Sequence, residues 1–170
     1  MKATLTVNGN SIDIELNAEQ YEKLFPEEKK KTGYEKAEED EQYWYVDSVT
    51  NVSPDSVGWN LNWENSRYKN ANYFSNEEVA NNMARAQKLW NQIHRRAVEL
   101  CEPIQTTQTI QYYVISYDVT LNKVVVGGWT TFRGFGAVYF DTEAHCKQVI
   151  DEFCEELMWY FTKFKDRADM

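Results

Sequence analysis

Three residues of types that ligate transition metals lie close together in the sequence: His145, Cys146 and Cys154. The two cysteines lie eight positions apart on one predicted helix, so their side chains point to nearly the same face. A tetrahedral site needs three or four converging ligands, and buried helical cysteines are the favoured interpretation. The sequence therefore predicts no metal site and no cofactor.

Patterns that would indicate catalysis are also incomplete. Gly127-Gly128 and Gly134-x-Gly136 lie beside a predicted strand without the spacing of a phosphate-binding loop, so they are expected in turns or at close contacts. Adjacent acids such as Glu77-Glu78 project in different directions on a helix and do not form a general acid–base pair. His94 lies on an apolar helical stripe, where a buried core histidine is expected. We therefore expect a protein without enzymatic activity.

The charge balance is typical of a binding protein or simply of a soluble one. The chain has 18 basic and 27 acidic residues, a net charge of −9 at pH 7, which counts against non-specific nucleic-acid binding and fits high solubility or a basic partner. The acidic run Glu38, Glu39, Asp40 and Glu41 resembles a row of phosphates and is a candidate site for an Arg/Lys-rich protein surface. The alternative is that residues 27–42, with seven acids and four lysines, form a solvated, mobile linker.

A second candidate surface lies on the helix predicted over residues 76–100. Its basic residues are Arg85, Lys88, Arg95 and Arg96, and this stripe could contact nucleic-acid phosphates. The alternative is the ordinary complementarity of basic side chains with the C-terminal end of a helix dipole.

The elements that must position these residues begin with a hairpin. Residues 3–7 and 12–16 alternate between apolar and polar types on either side of Asn8-Gly9, which is a strong signal for a two-residue turn. Asn17 and Gln20 have the spacing of a capping box and predict a short helix after the hairpin.

Two longer stretches follow, each with strands before a helix. The first has predicted strands at 43–46, 57–63 and 71–74, and then a helix over 76–100 capped by Ser75. The second has predicted strands at 112–117, 123–130 and 138–140, and then a long helix capped by Asp141.

These two stretches are related by an internal repeat. At an offset of 66 positions, six identical pairs occur within 15 residues: Trp63 and Trp129, Arg67 and Arg133, Ala71 and Ala137, Tyr73 and Tyr139, Phe74 and Phe140, Glu77 and Glu143. The tryptophans are expected to pack on the following helix, and the arginines to pair with acids or stack on aromatic rings. The sequence thus predicts an α+β fold, with an N-terminal hairpin and short helix at 1–33 and β-β-β-α modules at 34–102 and 103–170.

The chain also resembles a class of small proteins encoded by phages and prophages of Gram-positive bacteria. The likeness rests on the charged lead-in TGYEKAEEDEQYWYVDS, the helix start NYFSNEEVANNMARAQKLW, and the later YYVISYD and FGAVYFDTEAHCKQVIDE. It implies a phage or prophage genetic setting, in which small acidic accessory proteins often bind host defence proteins, as anti-CRISPR proteins do. By that analogy the expected function is binding and inhibition of a host defence nuclease, with a host protein, such as a CRISPR effector nuclease, as partner. A nucleic-acid-binding accessory protein and a phage structural or assembly protein are the alternatives.

The expected compartment is the cytoplasm of the host cell. The first ten residues contain no apolar core of a signal peptide, and no run approaches the roughly 18 apolar residues of a membrane span. Three cysteines, an odd number, suit a reducing compartment better than a disulfide framework.

Overall fold

The computed structural model describes residues 2–7, 9–24, 31–39, 41–58, 60–102, 112–130 and 136–168. Within these ranges the chain is an α+β protein with three two-stranded antiparallel sheets and five helices. It divides into two compact units, Met1–Lys31 and Thr32–Met170. Among the described helices, none combines the length and the apolar composition that crossing a membrane requires.

The first unit consists of a hairpin and a short helix. Strands β1 (Lys2–Val7) and β2 (Asn10–Glu15) pair antiparallel, and Gly9 in the turn has a φ of 82°, which confirms the predicted hairpin. Helix α1 (Ala18–Leu24) follows. The amide of Asn17 donates to Gln20 Oε1 at 3.1 Å, and the amide of Gln20 donates to Asn17 Oδ1 at 2.8 Å. These reciprocal bonds confirm the capping box.

The second unit begins its first sheet with strands β3 (Gln42–Val46) and β4 (Val52–Ser56), which pair antiparallel. On the other side of β3, Trp44 and Phe74 exchange two backbone hydrogen bonds, of 2.8 and 2.9 Å. Pro54 lies opposite Trp44 on β4. Because the backbone groups of Trp44 face Phe74, the missing N–H of Pro54 breaks no ladder hydrogen bond.

The prediction of a strand over residues 57–63 is wrong. Residues Leu61–Lys69 form helix α2, and Asn60 caps it by accepting a 3.3 Å hydrogen bond from the amide of Trp63. Trp63 is 64% exposed, so the prediction that it packs on the following helix is also wrong. The side chain that α2 buries is that of Glu64, which is 1% exposed. The side chain of Trp129 lies outside the described residues.

Helix α3 (Glu77–Leu100) confirms the predicted long helix. Its cap is Asn76, whose Oδ1 accepts a 3.0 Å hydrogen bond from the amide of Val79. The prediction that Ser75 is the cap is therefore wrong by one residue, because the Ser75 hydroxyl donates to Glu35 instead.

Strands β5 (Tyr112–Asp118) and β6 (Lys123–Thr130) form the second hairpin of this unit, as predicted. Tyr113 of β5 and Phe140 exchange two backbone hydrogen bonds, of 2.9 and 3.0 Å. A Cβ atom on Gly127 would lie 2.3 Å from Ser116 Oγ, which confirms close packing as the reason for this glycine.

The long C-terminal helix is interrupted. Helices α4 (Glu143–Glu152) and α5 (Cys154–Lys163) meet at Phe153, whose ψ of 21° departs from helical geometry. The cap of α4 is Thr142, which accepts from the amide of His145 at 3.1 Å, and not Asp141 as predicted. One apolar core joins α3, β6, α4 and α5: Leu89, Ile93, Ala97, Val124, Phe140, Cys146, Val149, Ile150 and Leu157.

We predict that Phe74→Ala and Phe140→Ala each lower the free energy of unfolding by about 3–5 kcal/mol, as truncation of core aromatic residues does. Phe74 is 2% exposed and Phe140 is 0% exposed. The measurement is equilibrium unfolding in urea, with the exposed Trp63→Ala as control, for which a change within about 0.5 kcal/mol is expected. Equal effects of all three substitutions would contradict the burial of the two phenylalanines.

Candidate functional site

The acidic segment, residues 38–41, lies immediately before strand β3. Glu38, Glu39 and Glu41 are exposed, and Asp40 lies outside the described residues. The amide of Glu38 donates to Glu41 Oε2 at 2.8 Å, and the amide of Glu41 donates to the Glu38 carbonyl at 3.0 Å. The Glu41 carbonyl also accepts from the amide of Val57 at 3.0 Å. Glu38 and Glu41 are therefore held close together, and Glu41 is attached to the open end of the β3–β4 hairpin.

The residues that lead into this segment are ordered, so the expectation of a mobile linker is wrong for residues 32–37. The carboxylate of Glu35 accepts hydrogen bonds from the hydroxyl of Thr32 at 2.7 Å, the amide of Gly33 at 2.9 Å and the hydroxyl of Ser75 at 3.0 Å. Burial alone would raise the pKa of Glu35, but the hydrogen bonds from Thr32 and Gly33 outweigh it and lower the pKa to about 2.

Residues 32–37, called the lead-in below, also pack against the start of helix α3. The Gly33 carbonyl accepts from the amide of Ser75 at 2.8 Å. Gly33 has a φ of 95°, and a Cβ atom there would lie 2.9 Å from Val79 Cγ2, so both backbone conformation and space require glycine. Further along, the amide of Ala37 donates to the hydroxyl of Tyr73 at 3.0 Å. The acidic segment thus follows a backbone that is fixed at several points.

A polar and aromatic cluster supports the hairpin that carries the segment. The guanidinium of Arg67 bonds the hydroxyl of Tyr43 at 2.7 Å, forms an ion pair with Asp55 and lies 3.4 Å from the centre of the Tyr45 ring. Burial would raise the pKa of Asp55, and the hydrogen bond from Arg67 lowers it below its ordinary value. Both roles expected for Arg67, acid pairing and ring stacking, are confirmed. Arg133 lies outside the described residues.

The buried carboxylate of Glu64 belongs to this framework and not to the acidic surface. Its Oε2 accepts from the amide of Gly58 at 3.2 Å. Its Oε1 lies 3.3 Å from Lys36 Nζ, an ion pair whose geometry falls short of a hydrogen bond. Lys36, from the lead-in, therefore balances the charge that α2 buries.

The basic residues predicted on helix α3 are mostly engaged with acids. Arg85 forms a bidentate pair with Glu156, at 2.8 and 2.9 Å, and lies 4.0 Å from the centre of the Trp159 ring. The hydrogen bond from Arg85 lowers the pKa of Glu156. Lys88 is exposed on the same helix.

The other two cations of α3 lie near its C-terminal end. Arg96 bonds Glu152 at 2.9 Å and Glu99 at 3.2 Å, and Arg95 lies 3.5 Å from Glu99. All three arginines predicted as nucleic-acid contacts therefore face carboxylates, and much of their charge is neutralised locally.

Two expectations about metal-type residues are wrong. Cys146 is buried, but Cys154, which follows the break at Phe153, is exposed. Burial raises the pKa of the Cys146 thiol to about 12. His94 is exposed and stacks on Trp90, with ring centroids 5.0 Å apart, so it is not a core histidine.

A different set of potential ligands comes together instead. His145 Nδ1 lies 2.6 Å from Asp141 Oδ1, and the amide of Glu102 donates to Asp141 Oδ2 at 3.1 Å. Cys101 Sγ lies within 4.8 Å of the ligand atoms of both residues. Burial would raise the pKa of Asp141, but the hydrogen bonds from His145 and Glu102 lower it. The i, i+4 spacing of Asp141 and His145 is visible in the sequence, whereas the contribution of Cys101, 40 positions earlier, is not.

An apolar groove of about 580 Å³ lies between α3, β5 and α5. Its walls include Met83, Trp90, Val114, Leu157, Phe161 and Phe164. Trp90 Nε1 donates to the Gly136 carbonyl at 2.8 Å, which fixes one wall. The groove has room for an apolar side chain or a small ligand.

No protein-family model, curated protein or solved structure matches this chain. The resemblance to small phage and prophage proteins stays a prediction.

We predict that Glu35→Gln destabilises the protein by about 1–2 kcal/mol at neutral pH, a value reduced for solvent screening of a carboxylate that is only partly buried. Since the pKa of Glu35 is lowered from 4.5 to about 2 on folding, this stabilisation is present above pH 4.5 and is lost as the pH falls toward 2. The measurement is the difference in urea unfolding between wild type and variant across that range.

The control is Glu39→Gln, which removes an exposed acid from the same part of the chain and should change stability little at any of these pH values. A difference for Glu35→Gln that stays constant from neutral pH down to pH 2 would contradict the assigned hydrogen bonds.

Proposed function

We propose that this chain is a non-enzymatic phage- or prophage-derived protein that binds and inhibits a host defence nuclease in the host cytoplasm, in the manner of anti-CRISPR proteins. The observation that carries the proposal is the acidic segment, whose described residues are exposed and follow an ordered backbone. Glu38, Glu39 and Glu41 face solvent, while the lead-in is fixed by the bonds to Glu35 and Tyr73.

The order of the segment matters because the conformational entropy lost on binding weakens the affinity of a mobile segment. A mobile acidic linker loses conformational freedom when it binds, whereas a turn that is already fixed avoids most of that loss. The bond from the Glu38 amide to Glu41 and the bond from Val57 to the Glu41 carbonyl restrict the turn before any partner arrives. The segment is therefore suited to a preformed, basic surface.

The sign and size of the charge favour the same class of partner. A nuclease groove that holds guide or target strands is rich in Arg and Lys, and a chain with a net charge of −9 is attracted to it over several ångströms. Inhibition then needs only that the protein occupies the groove. No chemistry on the partner is involved.

The nucleic-acid-binding alternative has weaker support. It depends on Arg85, Lys88, Arg95 and Arg96, and the three arginines already face Glu156, Glu99 or Glu152. Contact with phosphates would require these pairs to open or the phosphates to compete with carboxylates. A structural or assembly role in a phage particle has no specific observation in its favour.

We further infer that the second unit was built from two repeated β-β-β-α modules. Phe74 and Phe140 each pair with the first strand of their own hairpin. Asn76 and Thr142, also 66 positions apart, each cap the helix that follows. In the first module β4 is the second strand, and helix α2 lies between β4 and Phe74, where a strand over residues 57–63 was expected.

The experiment that identifies the partner is affinity capture from a host lysate, read by mass spectrometry. Recovery of a CRISPR effector or another defence nuclease, together with inhibition of its cleavage by the purified chain, supports the proposal. A salt-sensitive mobility shift of duplex DNA without any captured nuclease would favour the alternative.

We predict that neutralising the acidic segment, by Glu38→Gln, Glu39→Gln, Asp40→Asn and Glu41→Gln together, slows association with the captured nuclease by about tenfold or more at low salt. The difference should shrink at high salt, where screening removes the long-range attraction. Association rates by surface plasmon resonance at several salt concentrations provide the measurement.

The matched control removes the same total charge from exposed acids elsewhere, by Glu15→Gln, Glu78→Gln, Asp151→Asn and Glu155→Gln. This variant should lose only the part of the rate that depends on net charge. If the two variants associate at equal rates, the acidic segment is not the binding surface.

A further inference from the structure

Three side chains with metal-binding atoms converge where helix α3 ends and helix α4 begins. Cys101 follows the last residue of α3, Asp141 precedes the Thr142 cap of α4, and His145 lies in the first turn of α4. One donor atom from each of the three lies within 4.8 Å of the other two.

The separations of these donors bracket those of a small transition-metal site. With bonds of about 2.0–2.3 Å, neighbouring donors of a tetrahedral zinc site lie roughly 3.3–3.7 Å apart. The 2.6 Å distance between His145 and Asp141 is shorter than this, and the 4.8 Å limit for the set is longer. Changes of roughly 1 Å in these separations would place all three donors within bonding distance of one ion.

The chemistry of the donors selects the metal. A thiolate with an imidazole and a carboxylate is a donor set that zinc accepts, whereas magnesium and calcium prefer oxygen ligands alone. We propose that Cys101, Asp141 and His145 bind one zinc ion, with water in the fourth position.

Backbone hydrogen bonds fix the positions of two of the three proposed ligands. The amide of Cys101 donates to the Ala97 carbonyl at 2.9 Å, which fixes the end of α3. The amide of Glu102 donates to Asp141 Oδ2 at 3.1 Å, so it orients the carboxylate and leaves Oδ1 toward His145. The side chains of His145 and Asp141 are 33% and 22% exposed, which gives the ion and its water access to the site.

The competing explanation is structural. The same hydrogen bonds could serve only to tie the end of α3 to the start of α4, and in that case the chain holds no stoichiometric metal. The two explanations differ in the amount of zinc bound and in whether the Cys101 thiolate contacts the metal.

The test is a zinc titration of the full chain after chelator treatment and desalting, in competition with a chromophoric chelator. We expect one equivalent of zinc per chain. Cys101→Ser and His145→Gln should each weaken binding by about tenfold or more, whereas Cys154→Ser and His94→Gln, which change the exposed thiol and the other histidine, should stay within about twofold of wild type. Circular dichroism without metal checks that each variant is folded.

A second measurement needs no variant. Cobalt(II) bound to the wild-type chain should show thiolate-to-metal charge transfer in the near ultraviolet together with the visible bands of tetrahedral cobalt. Less than one equivalent of zinc, zinc binding that survives both Cys101→Ser and His145→Gln, or cobalt without thiolate charge transfer would overturn the proposal. None of these outcomes bears on the inhibitory function, which uses other residues.

Discussion

The structure of the second unit depends on one kind of contact, in which a buried phenylalanine pairs through its backbone with the first strand of a hairpin. Phe74 makes this contact with Trp44, and Phe140 makes it with Tyr113. A two-stranded hairpin is marginal by itself in water. The added pairing extends each sheet by one residue, buries an aromatic ring against the following helix, and fixes the point at which that helix starts.

The acidic segment owes its order to the first of these contacts. Tyr73 and Ser75, which flank Phe74, hold the lead-in through Ala37, Gly33 and Glu35. If Phe74 were displaced, Tyr73 and Ser75 would move with it. The hydrogen bonds that hold the residues before the acidic segment would then be lost. The surface proposed to bind a partner is thus coupled to the core by a few hydrogen bonds.

Local signals in the sequence were sufficient for the hairpin at residues 2–15 and for helix α3, because turn and capping residues act over three or four positions. They failed at residues 57–63, where Val57, Leu61 and Trp63 alternate as in a strand. The Asn60 cap and the burial of Glu64 favour a helix there, and burial is a tertiary property.

The same limit of local reasoning applies to the sites. The kind of contact that Arg67 makes could be predicted, but not its partners, since Asp55 and Tyr45 lie 12 and 22 positions earlier in the chain. The convergence of Cys101 with Asp141 and His145 could not, since the contact depends on how α3 and α4 are placed by the core they share. The order of residues 32–37 was missed for a related reason, because the partners of Glu35 include Ser75, 40 positions away.

The acidic segment differs from the acids that face arginines in how its carboxylates are held. Glu156 and Glu152 face Arg85 and Arg96, and an ion pair cancels most of the long-range field of both members. Glu41 instead accepts a hydrogen bond from a backbone amide. A neutral amide orients the Glu41 carboxylate without cancelling its long-range field, as a paired cation would. The arginines therefore stabilise the contacts of α3 with α4 and α5, whereas among the described residues of the acidic segment the carboxylate of Glu41 is held by the backbone.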